Sequence, residues 1–235
     1  MYSIGIALLA VLAAFPAIAA EDEWEHTAVI YMIGASIDGR AGVGPVTADV
    51  DVGFDDILDN LDAGAMAAYR AQKGRWAVVA DLIYMGLEQD KDGLGPLGQA
   101  RATAELDQLV FELDGSYAVN ERVDVYAGVR YWDIDSEVVI VGGGPLGETL
   151  RGSAGEHWID PIVGIRYTWN LGDAWSIVWR GDVGGLGIGS DFTWHTTAYA
   201  NWRFGEHASL AVGFRYLDVD YEDGTGSDRF LMDVG

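Results

Sequence analysis

The stretch DFTWHTTAYANWRF, residues 191–204, places Phe192, Trp194, Ala198, Ala200, Trp202 and Phe204 on one side of a two-residue repeat. Thr193, His195, Thr197, Tyr199, Asn201 and Arg203 fall on the other. A period of two is that of a β-strand, whose successive side chains point to opposite faces. Here one face is apolar and aromatic, the other hydrogen-bonding and charged. The stretch before it repeats the arrangement, with Trp175, Ile177, Trp179 and Val183 opposite Ser176, Arg180 and Asp182. In residues 157–169, Ile159, Val163, Ile165, Tyr167 and Trp169 oppose Asp160, Arg166 and Thr168.

Alternation alone fits a soluble sandwich, with the apolar face as core, or a membrane barrel, with that face toward lipid. The ends of the strands favour the barrel. Tyr131 and Tyr216 each close an apolar face, and the next positions on that face are Asp133 with Asp135 and Asp218 with Asp220. At the opposite ends Trp169, Trp175, Trp202 and Phe204 flank the short turns 170–173 and 205–207, as an aromatic girdle does at an interface. Strands are read at 24–37, 62–71, 75–88, 100–119, 121–135, 157–169, 174–188, 191–204 and 207–221, with a last one starting at Asp228 that reads as cut off at Gly235. The expected fold is all-β, an antiparallel transmembrane barrel of about ten strands when complete, within a range of about 8–12. The Gly-rich segments 89–98, 139–155 and 222–228, with a tighter one at 187–190, read as external loops. Residues 38–61 read as the first of them, including the alternating piece 45–53 and a short helix Phe54–Leu61.

Composition narrows the function classes. The 235 residues carry 37 Asp and Glu against 14 Lys and Arg, a formal net charge of -23 that repels phosphate backbones and argues against nucleic acid as a partner. The absence of Cys excludes thiol chemistry. Residues 4–20 form one uncharged apolar run ending in small residues, although Met1-Tyr2-Ser3 lacks the usual Lys or Arg. This predicts a signal peptide over 1–20, cleavage near Ala19 or Ala20, and a single barrel domain over 21–235.

Gly128-Val129-Arg130-Tyr131-Trp132-Asp133-Ile134-Asp135 is echoed by Gly213-Phe214-Arg215-Tyr216-Leu217-Asp218-Val219-Asp220, and more briefly by Gly164-Ile165-Arg166-Tyr167. The echo reads as a strand unit with Gly and Arg inward and Tyr outward. Arg130, Arg166, Arg180, Arg203 and Arg215 are then expected to line the lumen with Glu112, Asp114, Asp124, Asp160 and Asp182. They either pair with one another or form an anion-favouring constriction. His195, near Thr193 and Thr197, is the one histidine placed to serve a catalytic base, but on the lumen face rather than toward lipid. Residues 218–224 resemble the start of a calcium loop and fail at its sixth and twelfth positions. No motif points to a cofactor or a metal.

The run Trp158-Ile159-Asp160-Pro161-Ile162-Val163-Gly164-Ile165-Arg166, the Gly181-Asp182-Val183-Gly184-Gly185 run and Gly213-Phe214-Arg215-Tyr216 together resemble a family of largely uncharacterised Gram-negative outer-membrane β-barrel proteins, small and porin-like. The resemblance covers most of the chain after residue 20. It implies residence in the cell outer membrane, with the lipid bilayer, lipopolysaccharide and the outer-membrane assembly machinery as partners. It also implies a final strand ending in an aromatic residue, from which Met232-Asp233-Val234-Gly235 departs. It carries over no catalytic residue. The expected function is a small passive pore or a structural membrane protein, not an enzyme. The alternatives are an enzyme modifying lipid A or phospholipids through His195, and a non-pore surface-binding barrel.

Overall fold

Val, Ile, Trp, Tyr and Phe at every second position favour extended backbone, where their branched or flat side chains pack across the pleat. The computed structural model describes residues 24–32, 36–43, 46–94, 100–141, 149–205, 208–225 and 229–235. The expected signal segment 1–20 and its cleavage point lie outside them. Along the described residues run β1 (Glu25–Ile30), β2 (Ile37–Val43), β3 (Val46–Val52), α1 (Phe54–Asp59), β4 (Leu61–Lys73), β5 (Trp76–Leu94) and β6 (Ala100–Ala118). There follow β7 (Val123–Val141), β8 (Leu150–Asn170), β9 (Trp175–Gly184), β10 (Phe192–Arg203), β11 (Ser209–Asp223) and β12 (Phe230–Val234). They form one antiparallel sheet in the order β1-β4-β5-β6-β7-β8-β9-β10-β11-β12-β2-β3.

Side chains from distant strands show that this sheet is rolled. β5 and β11 are six positions apart in the ladder, about 29 Å if the sheet were flat. Yet Arg215 on β11 donates from Nη1 to Asp81 on β5 at 3.1 Å. Tyr31, just past β1, bonds to the same Asp81 and accepts from Arg215 at 3.2 Å, which brings the start of the sheet against both. The described ladder is not closed by hydrogen bonds: β1 and β3 are its two ends. β2, which follows β1 in sequence, lies at the other end of the ladder beside β3. Asp38 and Gly235 exchange backbone bonds at 3.1 and 3.0 Å beside the β2–β12 pair.

Rolling puts one face of every strand outside and the other inside. The outer face exposes Val78, Phe111, Leu113, Val125, Val129, Ile159, Val163, Ile165, Ile177, Val183, Leu210, Val212 and Phe214, among others. The inner face buries Glu112, Asp114, Asp124, Arg130, Asp160, Asp182 and His195. A soluble protein has the opposite polarity.

Several segments differ from the sequence reading: the expected first strand 24–37 ends as β1 at Ile30, and 38–43, expected in the first loop, belong to β2. Residues 89–94 and 139–141 continue β5 and β7, and 150–155 begin β8, so much of the two expected loops is ladder. Cross-strand pairs hold these extensions: Arg101 meets Asp90 at 2.8 Å, Thr103 donates to Asp90 at 2.6 Å, and Arg151 meets Glu137 at 3.1 Å. Residues 46–52 do not belong to a loop but pair with β2, from Ile37↔Val52 to Val43↔Val46. β9 stops at Gly184, not at 188, because the chain turns through positive φ at Gly185, Leu186 and Gly187. The helix is a single turn, Phe54–Asp59. Asn60 caps it, its side chain donating to the Asp56 carbonyl at 2.7 Å, while its own carbonyl accepts from Glu88 N–H at 2.8 Å. That last bond seats α1 on the rim above β5.

Candidate functional site: the barrel interior

The interior is filled in two layers. The first begins with a register fact: Glu112 on β6 and Arg130 on β7 are direct cross-strand partners, both inward. Arg130 donates to Glu112 from Nη2 at 2.8 Å and from Nε at 3.1 Å, and across the lumen to Asp182 on β9 at 2.7 Å. Arg180, also on β9, reaches back to Glu112, to Asp114 at 2.9 Å and to the Tyr126 hydroxyl at 2.8 Å, with its guanidinium 4.2 Å from the centre of the Tyr126 ring. Tyr126 in turn donates to Asp182 at 2.9 Å.

His195 completes this layer. Its Nδ1 lies 2.9 Å from Asp182 and its Nε2 2.7 Å from the Thr197 hydroxyl. Nδ1–H donates to the carboxylate, and Nε2 and the threonine hydroxyl share the second hydrogen bond. The order Asp182–His195–Thr197 is that of an acid, base and hydroxyl relay. It is only 3% exposed at His195 and faces the interior.

Two further ion groups lie in the same lumen. Asp124 accepts from Arg166 at 3.1 Å and Arg70 at 3.2 Å, and Asp81 holds Arg215 and Tyr31 as described above. Arg203 departs from the expectation. It is the last residue of β10, exposed beside the short turn, because alternation sets the face of a side chain but not its depth. At that level the inward direction opens to solvent.

The second layer is organised by Asp160, whose carboxylate is completely buried. It accepts from Trp132 Nε1 at 2.9 Å, Trp158 Nε1 at 3.2 Å, Ser190 N–H at 2.6 Å and the Ser190 hydroxyl at 2.8 Å. The indoles of Trp132 and Trp158 stack at 5.4 Å, and Trp158 stacks on Tyr221 of β11 at 3.9 Å. Val110, Ile134 and Val219 close around them. Aromatic rings from β7, β8 and β11 thus bridge the lumen.

Tyr31, Arg70, Asp81, Tyr126, Trp132, Trp158 and Ser190 belong to this interior and were not singled out from sequence. Their inward parity was the available signal, and in β5 it was masked because Val79 and Ile83 flank Asp81 on the same face. Asp218, Asp220 and Glu222, the residues of the imperfect calcium motif, fall on the outward face of β11. Among the described residues no group of three or more acidic or histidine side chains could hold a metal ion.

The glycine of the repeated unit has a packing role at Gly164. A Cβ there would lie 2.5 Å from the Tyr126 hydroxyl and 2.5 Å from the Gly181 backbone carbonyl oxygen. Gly164→Ala is therefore expected to push Tyr126 off Asp182 and Arg180 and to cost about 1–3 kcal/mol, read from urea unfolding in lipid vesicles. An unchanged midpoint would mean that both the ring and the Gly181 backbone adapt.

No family model matches the chain, and no curated protein matches it. Among solved structures it is similar to Ail, the attachment invasion locus protein of Yersinia pestis, crystallised with the heparin analogue sucrose octasulfate. The identity is 10%, the TM-score 0.37, and the similarity covers 90% of this chain and 99% of that one.

Proposed function

We propose that the chain is an integral β-barrel of the bacterial outer membrane with a lumen closed by its own side chains, serving a structural and non-catalytic role. The observation that carries this is the inverted polarity of the rolled sheet. On β8 the outward positions from Ile159 to Trp169 are Ile159, Pro161, Val163, Ile165, Tyr167 and Trp169. These ten steps run about 33 Å along the strand, or about 25 Å after a tilt of about 40°, the height of a barrel's lipid-facing band. Its outer border is drawn by three tyrosines that reach up to acids: Tyr84 to Asp107 at 2.8 Å, Tyr131 to Asp133 at 3.0 Å and Tyr216 to Asp218 at 3.2 Å. Such amphipathic rings belong at the headgroup level. The apolar run 4–20 supports export, and export of a strand-built membrane protein leads to the outer membrane.

The closed lumen rests on burial. Arg130 and Asp160 are 0% exposed and Trp132 1%, so the middle of each layer is filled by side chains. Purified protein in planar bilayers is expected to insert, shown by heat-modifiable gel migration, and to give no discrete conductance steps. Steady single-channel openings would overturn the closed lumen, and recovery of tagged protein from the periplasm or inner membrane would overturn the location.

The enzymatic reading draws on the Asp182–His195–Thr197 relay. A substrate would have to displace the packed interior to reach it. Lipid A and phospholipids from expressing cells are therefore expected to keep their masses.

A further inference from the structure

At the short-turn end of the barrel an open surface cavity of about 510 Å³ is lined by Arg75, Ala118, Asn120, Glu121 and Arg122, all exposed except Ala118. None of these residues enters the interior networks. The cavity lies between two turns that are tied together. Gly74 takes φ +57° in the two-residue turn with Arg75, and the Arg75 carbonyl accepts from Ala118 N–H at 2.8 Å. The second turn is held by Asn120, whose side-chain oxygen accepts from the N–H groups of Arg122 and Val123 at 2.9 and 3.1 Å. The Arg122 carbonyl accepts from Thr168 N–H at 2.8 Å, which anchors that turn to β8.

Three of the residues at this cavity are charged, and one of them, Arg75, is held beside aromatic rings. Arg75 donates to the Tyr117 hydroxyl at 3.1 Å with its guanidinium 5.9 Å from the ring centre, and Trp76 packs on Tyr117 at 4.8 Å. Trp76 and Tyr117 belong to the outward girdle that meets the glycerol and headgroup region of a bilayer. Two arginines and one glutamate are among the lining residues, and among the described residues no ion pair joins Glu121 to Arg75 or Arg122. Guanidinium groups recognise phosphate oxygens through charge-assisted hydrogen bonds, and a carboxylate recognises a primary ammonium.

We infer that this cavity is a headgroup site for a phospholipid of the leaflet on the short-turn side, one carrying a phosphodiester and a primary ammonium, that is, a phosphoethanolamine lipid. Arg75 and Arg122 take the phosphate and Glu121 takes the ammonium. A glycerol headgroup offers no cation to Glu121, and a choline headgroup offers no N–H to donate. The inference rests on the membrane-embedded barrel proposed above.

The test uses the full chain refolded in neutral detergent, with lipids of identical acyl chains and retention read by native mass spectrometry. Wild-type protein is expected to retain phosphatidylethanolamine about tenfold better than phosphatidylcholine or phosphatidylglycerol, a difference of about 1.4 kcal/mol. Glu121→Gln should abolish that preference. Arg75→Ala with Arg122→Ala should lower retention of every phospholipid, whereas Arg75→Lys with Arg122→Lys should restore part of it. Equal retention by wild type and the double-alanine variant, or no preference among headgroups in wild type, would overturn the site. Soluble phosphoethanolamine binding as tightly as the lipid would overturn the lipid as its source. All these residues are on exposed turns, so each variant should keep the heat-dependent gel shift. If wild type itself lacks that shift, it is the membrane reading that fails.

Discussion

Arg130→Ala is expected to destabilise the barrel by about 3–5 kcal/mol, the range for stripping one partner from a buried ion network. The guanidinium makes contacts of 2.7 to 3.1 Å with Glu112 and Asp182, and all three side chains are shielded from water. Removing it leaves Glu112 facing Arg180 alone and Asp182 held by Tyr126 and His195. The penalty is mostly desolvation of carboxylates left without their counter-charge, not loss of the attraction itself. That distinction can be measured. Arg130→Leu combined with Glu112→Leu removes a charge of each sign, and it should cost less than Arg130→Ala alone, because Arg180 keeps Asp114 at 2.9 Å. Urea unfolding in vesicles of fixed composition reads both. A single-variant cost below about 1 kcal/mol would mean that water reaches the network, and the closed-lumen proposal would lose its main support.

The parts of this fold legible in the sequence are those where two solvents impose contrasting demands. In β8 the outward residues Ile159 to Trp169 and the inward Trp158, Asp160 and Arg166 differ so sharply that alternation marks the strand. Farther out the contrast vanishes. Asp133, Asp135 and Glu137 on β7 and Arg151, Ser153 and His157 on β8 continue the outward face beyond the tyrosine border. With water on that side, the outward face turns polar and the apolar run 138–141 no longer alternates, so these extensions resemble loops. Residues 46–52 do alternate, but as a spanning strand they would put the start of the first strand outside the cell, so the sequence reads as loop there. The hairpin with β2 is a short one at the outer end. Inside the barrel, parity assigns Arg130, Arg180, Arg215, Glu112 and Asp182 a face without naming their partners. Glu112 opposite Arg130 follows once the β6–β7 register is known. The pairing of Arg215 with Asp81 follows only from curvature, which no local pattern encodes.

Asp160→Ala should produce a loss of similar size, about 3–5 kcal/mol, through hydrogen bonds to a charged acceptor, not through an ion pair. Four donor contacts converge on its two oxygens, and its burial leaves no water to replace them. Without the carboxylate, Trp132 Nε1 and the Ser190 N–H lose the acceptor they hold here, while Trp158 keeps the Ser190 hydroxyl at 2.9 Å. The local effect should exceed the global one. Ser190 is the buried end of the β9–β10 connection, which turns on Gly185, Leu186 and Gly187, all at positive φ, and exposes Leu186 and Ile188. The residue before it, Gly189, sits so close that a Cβ would lie 2.5 Å from Asp160 Oδ1. Asp160 therefore pins this connection to the aromatic layer. In Asp160→Ala the connection should become a site of rapid proteolytic cleavage near residues 186–188 while the folded barrel still shows its gel shift. Asp160→Asn retains one acceptor oxygen and the side-chain volume, and it should fall between wild type and alanine on both measures. If both variants resist protease as wild type does, the connection is held by its own backbone bonds, Gly187 N–H to Ser190 carbonyl at 3.0 Å and Ile188 N–H to Gly185 carbonyl at 3.1 Å, and Asp160 serves only the indoles.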